Sequence, residues 1–192
     1  MNAVVDVLMK FFGGFIIFYM SVVTVAYTCM LIFAFIEIRK QYKLDKSALD
    51  EDYIDALYYY KPLSIIIPAY NEEVGIVDSI QSVMSLKYPQ TELIVVNDGS
   101  EDQTQQIVIE QFRMKKISKA VKQQVESKPI IQIYQSEIHH NLYLIEKENG
   151  GKADALNAGI NFAKYPYFCS IDGDSIMDEK SLLRVMKPII LS

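Results

Sequence analysis

The 192-residue sequence has no tryptophan, only two cysteines and two histidines, and no excess of positive charge, its formal net charge being -5. Each scarcity removes a class of protein. Cys29 and Cys169 have no Cys or His partner at ligand spacing, so neither a zinc site nor a disulfide framework is available, and both read as reduced core residues. His139 and His140 are adjacent and point in different directions, with no further Cys or His at ligand spacing, which argues against a metal role for them. The mild acidity argues against nucleic acid as the main partner, because phosphate-backbone binders carry a basic surface. There is no internal repeat and no low-complexity tract. The nucleotide-triphosphate loop is excluded around Lys152, which no Ser or Thr follows and which has no glycine five residues before Gly151. A dinucleotide-binding glycine fingerprint is also absent.

The longest absence is of charge. Residues Phe11 to Ile36 carry none, an uncharged run well beyond the roughly 18 residues that suggest a membrane-spanning helix. A cleaved signal peptide fits badly: the run is too long and no small-x-small cleavage site follows. The flank after the run holds Glu37, Arg39, Lys40, Lys43 and Lys46, whereas the flank before it holds Asp6 and Lys10. Positive charge stays inside, so the expected topology is a single pass in the cell (inner or plasma) membrane. The N-terminus would lie outside and the chain after residue 37 would face the cytosol. The domain expectation is an anchor over 1–37, a juxtamembrane linker over 38–60 and one folded domain over 61–192. The tyrosine-rich end of the linker, DYIDALYYYK, suits either lipid headgroups or packing on the domain.

Beyond the linker the pattern alternates. LSIII (63–67), ended by Pro68, ELIVV (92–96), IIQIY (130–134), LYLIE (142–146) and YFCSI (167–171) are apolar runs of strand length. Between them, Glu73 to Leu86 carries Val74, Val77, Ile80, Val83 and Met84 at helical spacing. Ser100 with Gln103 has the spacing of a capping box and predicts a helix through about residue 123, which puts the basic stretch RMKKISKAVK (113–122) on a helix, either as a solvated face or against anionic lipid. Lys152 to Ala163 and Glu179 to about Ile190 are also helical. Strands alternating with helices predict an α/β fold: a mostly parallel sheet with helices on both faces.

In such a sheet ligands bind beyond the carboxyl ends of the strands, and three polar clusters fall there: PAYNEE (68–73), NDGSED (97–102) and DGDS (172–175). Asp98 ends a buried strand, where its carboxylate can accept from an imide N–H or a ribose hydroxyl, or simply bond its own turn. Glu72 and Glu73 read equally as helix-start acids. ENGGKADALNAG (148–159) is a glycine turn leading into a helix. Lys152 sits in its first turn, where the dipole disfavours a cation unless an anion is bound; turn amides, helix start and ammonium together make a phosphate site. Asp172 and Asp174 flank Gly173. Two carboxylates one residue apart repel, unless Mg2+ or Mn2+ lies between them and a diphosphate, since hard cations take carboxylate oxygens plus substrate phosphates.

SIIIPAYNE, VVNDGSEDQT, NGGKADALNAG and SIDGDS, in that order and spacing, resemble family 2 glycosyltransferases with the GT-A (Rossmann-like) fold. They are most similar to the membrane-bound polysaccharide-synthase-like bacterial branch that includes chitin-oligosaccharide, hyaluronan and poly-N-acetylglucosamine synthases. The likeness covers residues 61–192. It implies that Ala69, Tyr70, Glu72 and Asp98 lie against the uridine and Lys152 near the nucleotide. It also implies that Asp172 and Asp174 serve ribose and the metal–diphosphate, Asp174 being the direct metal ligand. The expected cofactor is Mg2+ or Mn2+, the donor a UDP-sugar, and the acceptor a growing glycan or lipid-linked sugar. The family's later parts, namely the acidic acceptor-side motif with the catalytic base, the Q-x-x-R-W segment and further membrane helices, do not occur in this sequence. The expectation is therefore the donor-binding half of an inverting enzyme, C-terminally incomplete, with its base downstream of Ser192 and inactive alone: a truncated gene, a fragment, or one member of a split pair that a downstream polypeptide completes. Against it stand a non-catalytic membrane module that binds nucleotide sugar or a partner, and a nucleotidyltransferase, which lacks its expected glycine- and arginine-rich loop near the first strand.

Overall fold

Ile65, Ile66 and Ile67 are three consecutive side chains with no exposed surface. A strand turns neighbouring side chains to opposite faces, so burying all three requires a sheet covered on both sides. In the computed structural model, residues 2–48 and 60–190 are described, and the chain forms two units, Met1–Ile54 and Asp55–Ser192.

The first unit is one helix, α1 (Asn2–Ala48, 47 residues). It runs without a break through the segment expected as linker up to Ala48; most of the tyrosine-rich stretch lies outside the described residues. Met9–Lys40 is long and apolar enough to cross a membrane. At about 1.5 Å per residue these 32 residues exceed the roughly 30 Å hydrocarbon core, so a spanning helix of this length would need tilt or interfacial ends. Three of its hydroxyls pair within the helix: Ser21, Thr24 and Thr28 donate to the carbonyls of Ile17, Met20 and Thr24, each at 2.8 Å. An apolar medium demands that internal pairing. Cys29 is exposed on this helix rather than in a core.

The second unit is the α/β domain. Its elements are β1 (Leu63–Ala69), α2 (Ile76–Met84), β2 (Thr91–Asn97), α3 (Thr104–Gln111), β3 (Met114–Ile117), β4 (Ile130–Ser136), β5 (Leu142–Lys147), α4 (Lys152–Phe162), β6 (Tyr167–Ser170) and α5 (Ser181–Ile190). The sheet order is β3-β4-β5-β2-β1-β6. β6, β1, β2 and β5 are mutually parallel, and β4 and β3 extend the sheet antiparallel. The fold is thus mixed at one edge. Odd-numbered β1 residues pack with α2, α3 and α5 (Ile65, Ile67, Ile76, Ile80, Val108, Leu182). Ile66, Ile94, Val96 and Ile145 pack with α4 through Ala155, Ala158 and Phe162 on the other face. α4 lies close on β1: a Cβ on Gly159 would fall 2.5 Å from Ile66 Cγ2.

Four expectations need correction. β1 continues through Pro68 to Ala69. Ile66 O accepts from Ile171 N, and Ala69 O from Asp98 N, so even positions face β6 and odd ones β2. Pro68's missing donor therefore falls where β6, ending at Ser170, no longer pairs. Val74 precedes α2 and is 92% exposed, so it belongs to the turn. The helix expected to reach residue 123 stops at Gln111, because Phe112 turns into the core and Arg113 takes a positive φ of 46°. The basic stretch then forms the edge strand β3 and an irregular segment that α4 holds. Asn161 Oδ1 accepts from the Gln124 and Val125 amides at 2.8 and 3.0 Å, and the Lys119 ammonium sits 3.9 Å from the Phe162 ring centroid. Lastly, β6 is an edge strand, so Cys169 is only half-buried and Phe168 is 53% exposed.

Candidate functional site

The parallel strands end level with one another: Ala69 is opposite Asn97, and Asn97 opposite Glu146. The loops that follow line a cleft of about 480 Å³ whose walls include Ala69, Tyr70, Glu72, Asp98, Lys152, Asp172 and Asp174. All seven residues singled out from the sequence therefore share one cavity, together with Pro68, Asn149, Gly151, Ala155 and Gly173.

The loops after β1 and β2 are laced together. Asn71, at φ 57°, donates its amide to Ser100 Oγ at 3.1 Å, and its side chain accepts from the Glu101 amide at 2.9 Å. The Glu72 amide donates to Thr104 Oγ1 at 2.8 Å, and the Glu73 amide to Asp102 Oδ2 at 3.2 Å. Glu73 Oε2 accepts from the Gln103 amide at 3.0 Å. Glu73 thus serves the start of α3. The capping role expected of Ser100 falls to Asp102, whose Oδ1 accepts from both the amide and the hydroxyl of Thr104. Burial raises the Asp102 carboxyl, but the bonds from Thr104 and the Glu73 amide outweigh it and hold the group below its ordinary value.

Tyr70 stands exposed at the rim. Lys152, at the start of α4, reaches Asp172, Nζ to Oδ1 being 2.5 Å, with both side chains more than half exposed. The loop carrying the two aspartates is fixed by its neighbours. Ser79 Oγ donates to the Asp172 carbonyl at 3.3 Å, and a Cβ on Gly173 would meet Glu72 Cγ at 3.2 Å. Burial, then the negative charges of Asp174, Asp102 and Asp172, push the Glu72 carboxyl above its ordinary range. Negative charge is concentrated here, on hard oxygen donors that suit Mg2+ or Mn2+. Among the described residues no group of three or more His, Cys, Asp or Glu forms a protein metal cage. That fits a cation sharing its coordination with phosphate and water, and Gly173 keeps the approach slim. The residues present fit the group.

Asp98 differs most from the sequence reading. Its side chain is 3% exposed. Oδ1 accepts from Lys147 Nζ at 2.5 Å and from the Gly150 amide at 3.0 Å, and Oδ2 from the Gly151 amide at 2.6 Å. A carboxylate offers about four acceptor positions, and three are taken inside the protein. Lys147, Asp154 and Asn149 were not anticipated. Lys147 closes an apolar strand and ought to be solvated by residue type alone; the one sequence signal was a lysine directly before a glycine turn that must meet a strand-end aspartate.

The mixed α/β sheet with a cleft at its strand ends is of the GT-A type, and comparison with known proteins gives the family. Residues 64–190 match Glycosyl transferase family 2, and the chain belongs to that family. It is 33% identical over 118 residues to a poly-beta-1,6-N-acetyl-D-glucosamine synthase of Staphylococcus epidermidis, covering 61% of this chain and 23% of that protein. It is 28% identical over 171 residues to the synthase of the same description in Staphylococcus aureus strain COL, covering 89% and 34%. The chain thus spans about a quarter to a third of the length of these curated relatives. Among solved structures, the mannosyltransferase PcManGT from Pyrobaculum calidifontis, in complex with GDP-Man and Mn2+, superposes with a TM-score of 0.52 at 24% identity, over 67% of this chain and 32% of its own.

Proposed function

We propose that the cleft binds a UDP-sugar with a divalent cation, and that the chain is the donor-binding part of a membrane-anchored, inverting glycosyltransferase acting on a growing glycan or lipid-linked acceptor. The observation that carries this reading is the convergence of three separate strand-end loops on one cavity containing Lys152, Asp172 and Asp174. Relatives described as poly-beta-1,6-N-acetyl-D-glucosamine synthases favour an N-acetylhexosamine donor. Asp174, with Asp172, would hold the cation, and PcManGT, solved with Mn2+, supports divalent metal use. When bound, such a cation supplies charge neutralisation to the diphosphate. Ala69, Tyr70 and Glu72 would border the nucleoside. Lys152 would turn from Asp172 to a phosphate oxygen as the donor enters, aided by the start of α4. The base that takes the acceptor proton is proposed to come from sequence downstream of Ser192.

α1 is proposed to span the membrane once, with Arg39 and Lys40 on the cytosolic side. A cysteine placed at Lys46 should resist an impermeant thiol reagent applied to intact cells; labelling from outside would reverse the topology. For the site, titration calorimetry of the full chain in detergent should show UDP binding that tightens with Mn2+ or Mg2+. No UDP binding in either condition would remove the donor reading.

A further inference from the structure

Lys147 is the last residue of β5, and its side chain has no exposed surface. An ammonium has three protons to donate, and all three have partners: Asp98 Oδ1 at 2.5 Å, Asp154 Oδ2 at 2.6 Å and the Glu148 carbonyl at 2.5 Å. The two carboxylates belong to different elements, Asp98 to the end of β2 and Asp154 to the first turn of α4. Each also holds backbone. Asp98 takes the Gly150 and Gly151 amides, its carbonyl takes Asn149 Nδ2 at 2.9 Å, and Asp154 takes the Lys128 amide at 3.0 and 3.2 Å. Burial works against the Asp154 charge, yet the Lys147 ammonium and the Lys128 amide hold its carboxyl below the ordinary value. Removing the ammonium would leave buried Asp98 facing the partly exposed Asp154 carboxylate with no cation between them, and breaking such a pair by removing one partner is strongly destabilising. Their repulsion acts along one direction: it pushes the start of α4, and Lys152 with it, away from the end of β2.

We propose that Lys147 is a positioning residue. By clamping Asp98 to Asp154 it fixes the Gly150–Gly151 turn and aims Lys152 into the cleft, without itself touching the nucleotide. The consequence for the nucleotide rests on the donor reading above; the consequence for the turn does not. Asp98 then organises the turn as well as lining the cleft.

The test uses the full chain in detergent, as wild type, Lys147→Met and the double variant Lys147→Met with Asp154→Asn, which removes one of the two opposed charges. Two quantities are read: hydrogen exchange of residues 148–156 without nucleotide, and UDP affinity with Mn2+. In Lys147→Met the Gly150 and Gly151 amides should exchange at least about tenfold faster while β1 and β2 stay protected, and UDP affinity should fall at least about tenfold. The double variant should recover part of both losses. Wild-type protection of the two glycine amides in Lys147→Met would overturn the proposal. So would a uniform rise in exchange across all strands, which marks a merely structural lysine. If Lys147→Met does not fold, the double variant decides, and wild-type exchange and affinity in it would likewise overturn the role. A wild type that fails to bind UDP removes the donor reading and leaves the exchange data to judge the clamp alone.

Discussion

The two halves of the sheet are built from similar residues and end differently. β6, β1, β2 and β5 run parallel, β1, β2 and β5 finishing level and β6 three residues earlier, and hand the chain to short polar loops that line the cleft. β4 and β3 run antiparallel, carry their connection as an irregular segment over 118–129, and present Lys115 and Lys116 exposed on the outermost strand. In the first half polar side chains are spent on holding neighbouring backbone, as Asn71, Asp98 and Asp102 do. In the second half they blunt an edge that would otherwise offer unpaired backbone to another strand. A site requires strand ends that meet; an edge requires only protection.

That contrast can be broken most severely at its centre. Ile94→Ala, at a fully buried position of β2, should cost about 2–5 kcal/mol. Ile131→Ala on β4, 60% exposed, should stay within about 0.5 kcal/mol. Denaturant unfolding of the full chain in detergent, followed by tyrosine fluorescence in the absence of tryptophan, would compare them, and equal losses would erase the distinction between the halves. Asp174→Asn should leave the fold intact and weaken Mn2+-supported UDP binding on the order of tenfold, about 1.4 kcal/mol, with little change when metal is withheld. Calorimetry with and without Mn2+ checks this, and unchanged affinity in Mn2+ removes Asp174 as a ligand. Asp102→Ala should destabilise by about 1 kcal/mol through loss of the α3 cap. Because the Asp102 carboxyl is held below the ordinary value of 3.8, this contribution is fully present above that pH. It is lost as the pH falls through the lower folded-state value, so the wild-type and variant stability curves should converge in strong acid. The smallest effect belongs to the edge: Lys115→Glu with Lys116→Glu should change stability by less than about 0.5 kcal/mol and leave UDP affinity unaltered.

The parallel half was the legible half. Buried strands such as ELIVV cannot hide their apolar runs, and the polar residues that end them mark the cleft without further information. Glu72, Asp98, Asp172 and Asp174 were visible for that reason, Lys152 from the glycine turn that opens a helix, and Ala69 and Tyr70 only through the family resemblance; their individual roles stay with the proposal. In the antiparallel half β4 was legible as IIQIY, but β3 was not. β3 has only four residues, two of them lysines, and a basic run after Thr104–Gln111 has helical propensity that tertiary pairing with β4 overrides. Lys147 was missed for a different reason. Its residue type announces solvent, and only the meeting of Asp98 and Asp154, 56 positions apart in the chain, turns it into a buried group. Pairing between distant acids leaves no local pattern.

Gly159 shows how little clearance there is between α4 and β1. Its backbone rests so near Ile66 that the first carbon of any side chain would collide with it. The thickness of one bare peptide therefore sets the height of α4 above β1. A heavier residue there would act as a wedge, lifting the end of a lever whose tip is Lys152. Position 159 has an alphabet of one letter. The rim of the cleft is less constrained, since Tyr70 and Asn149 are exposed to solvent there.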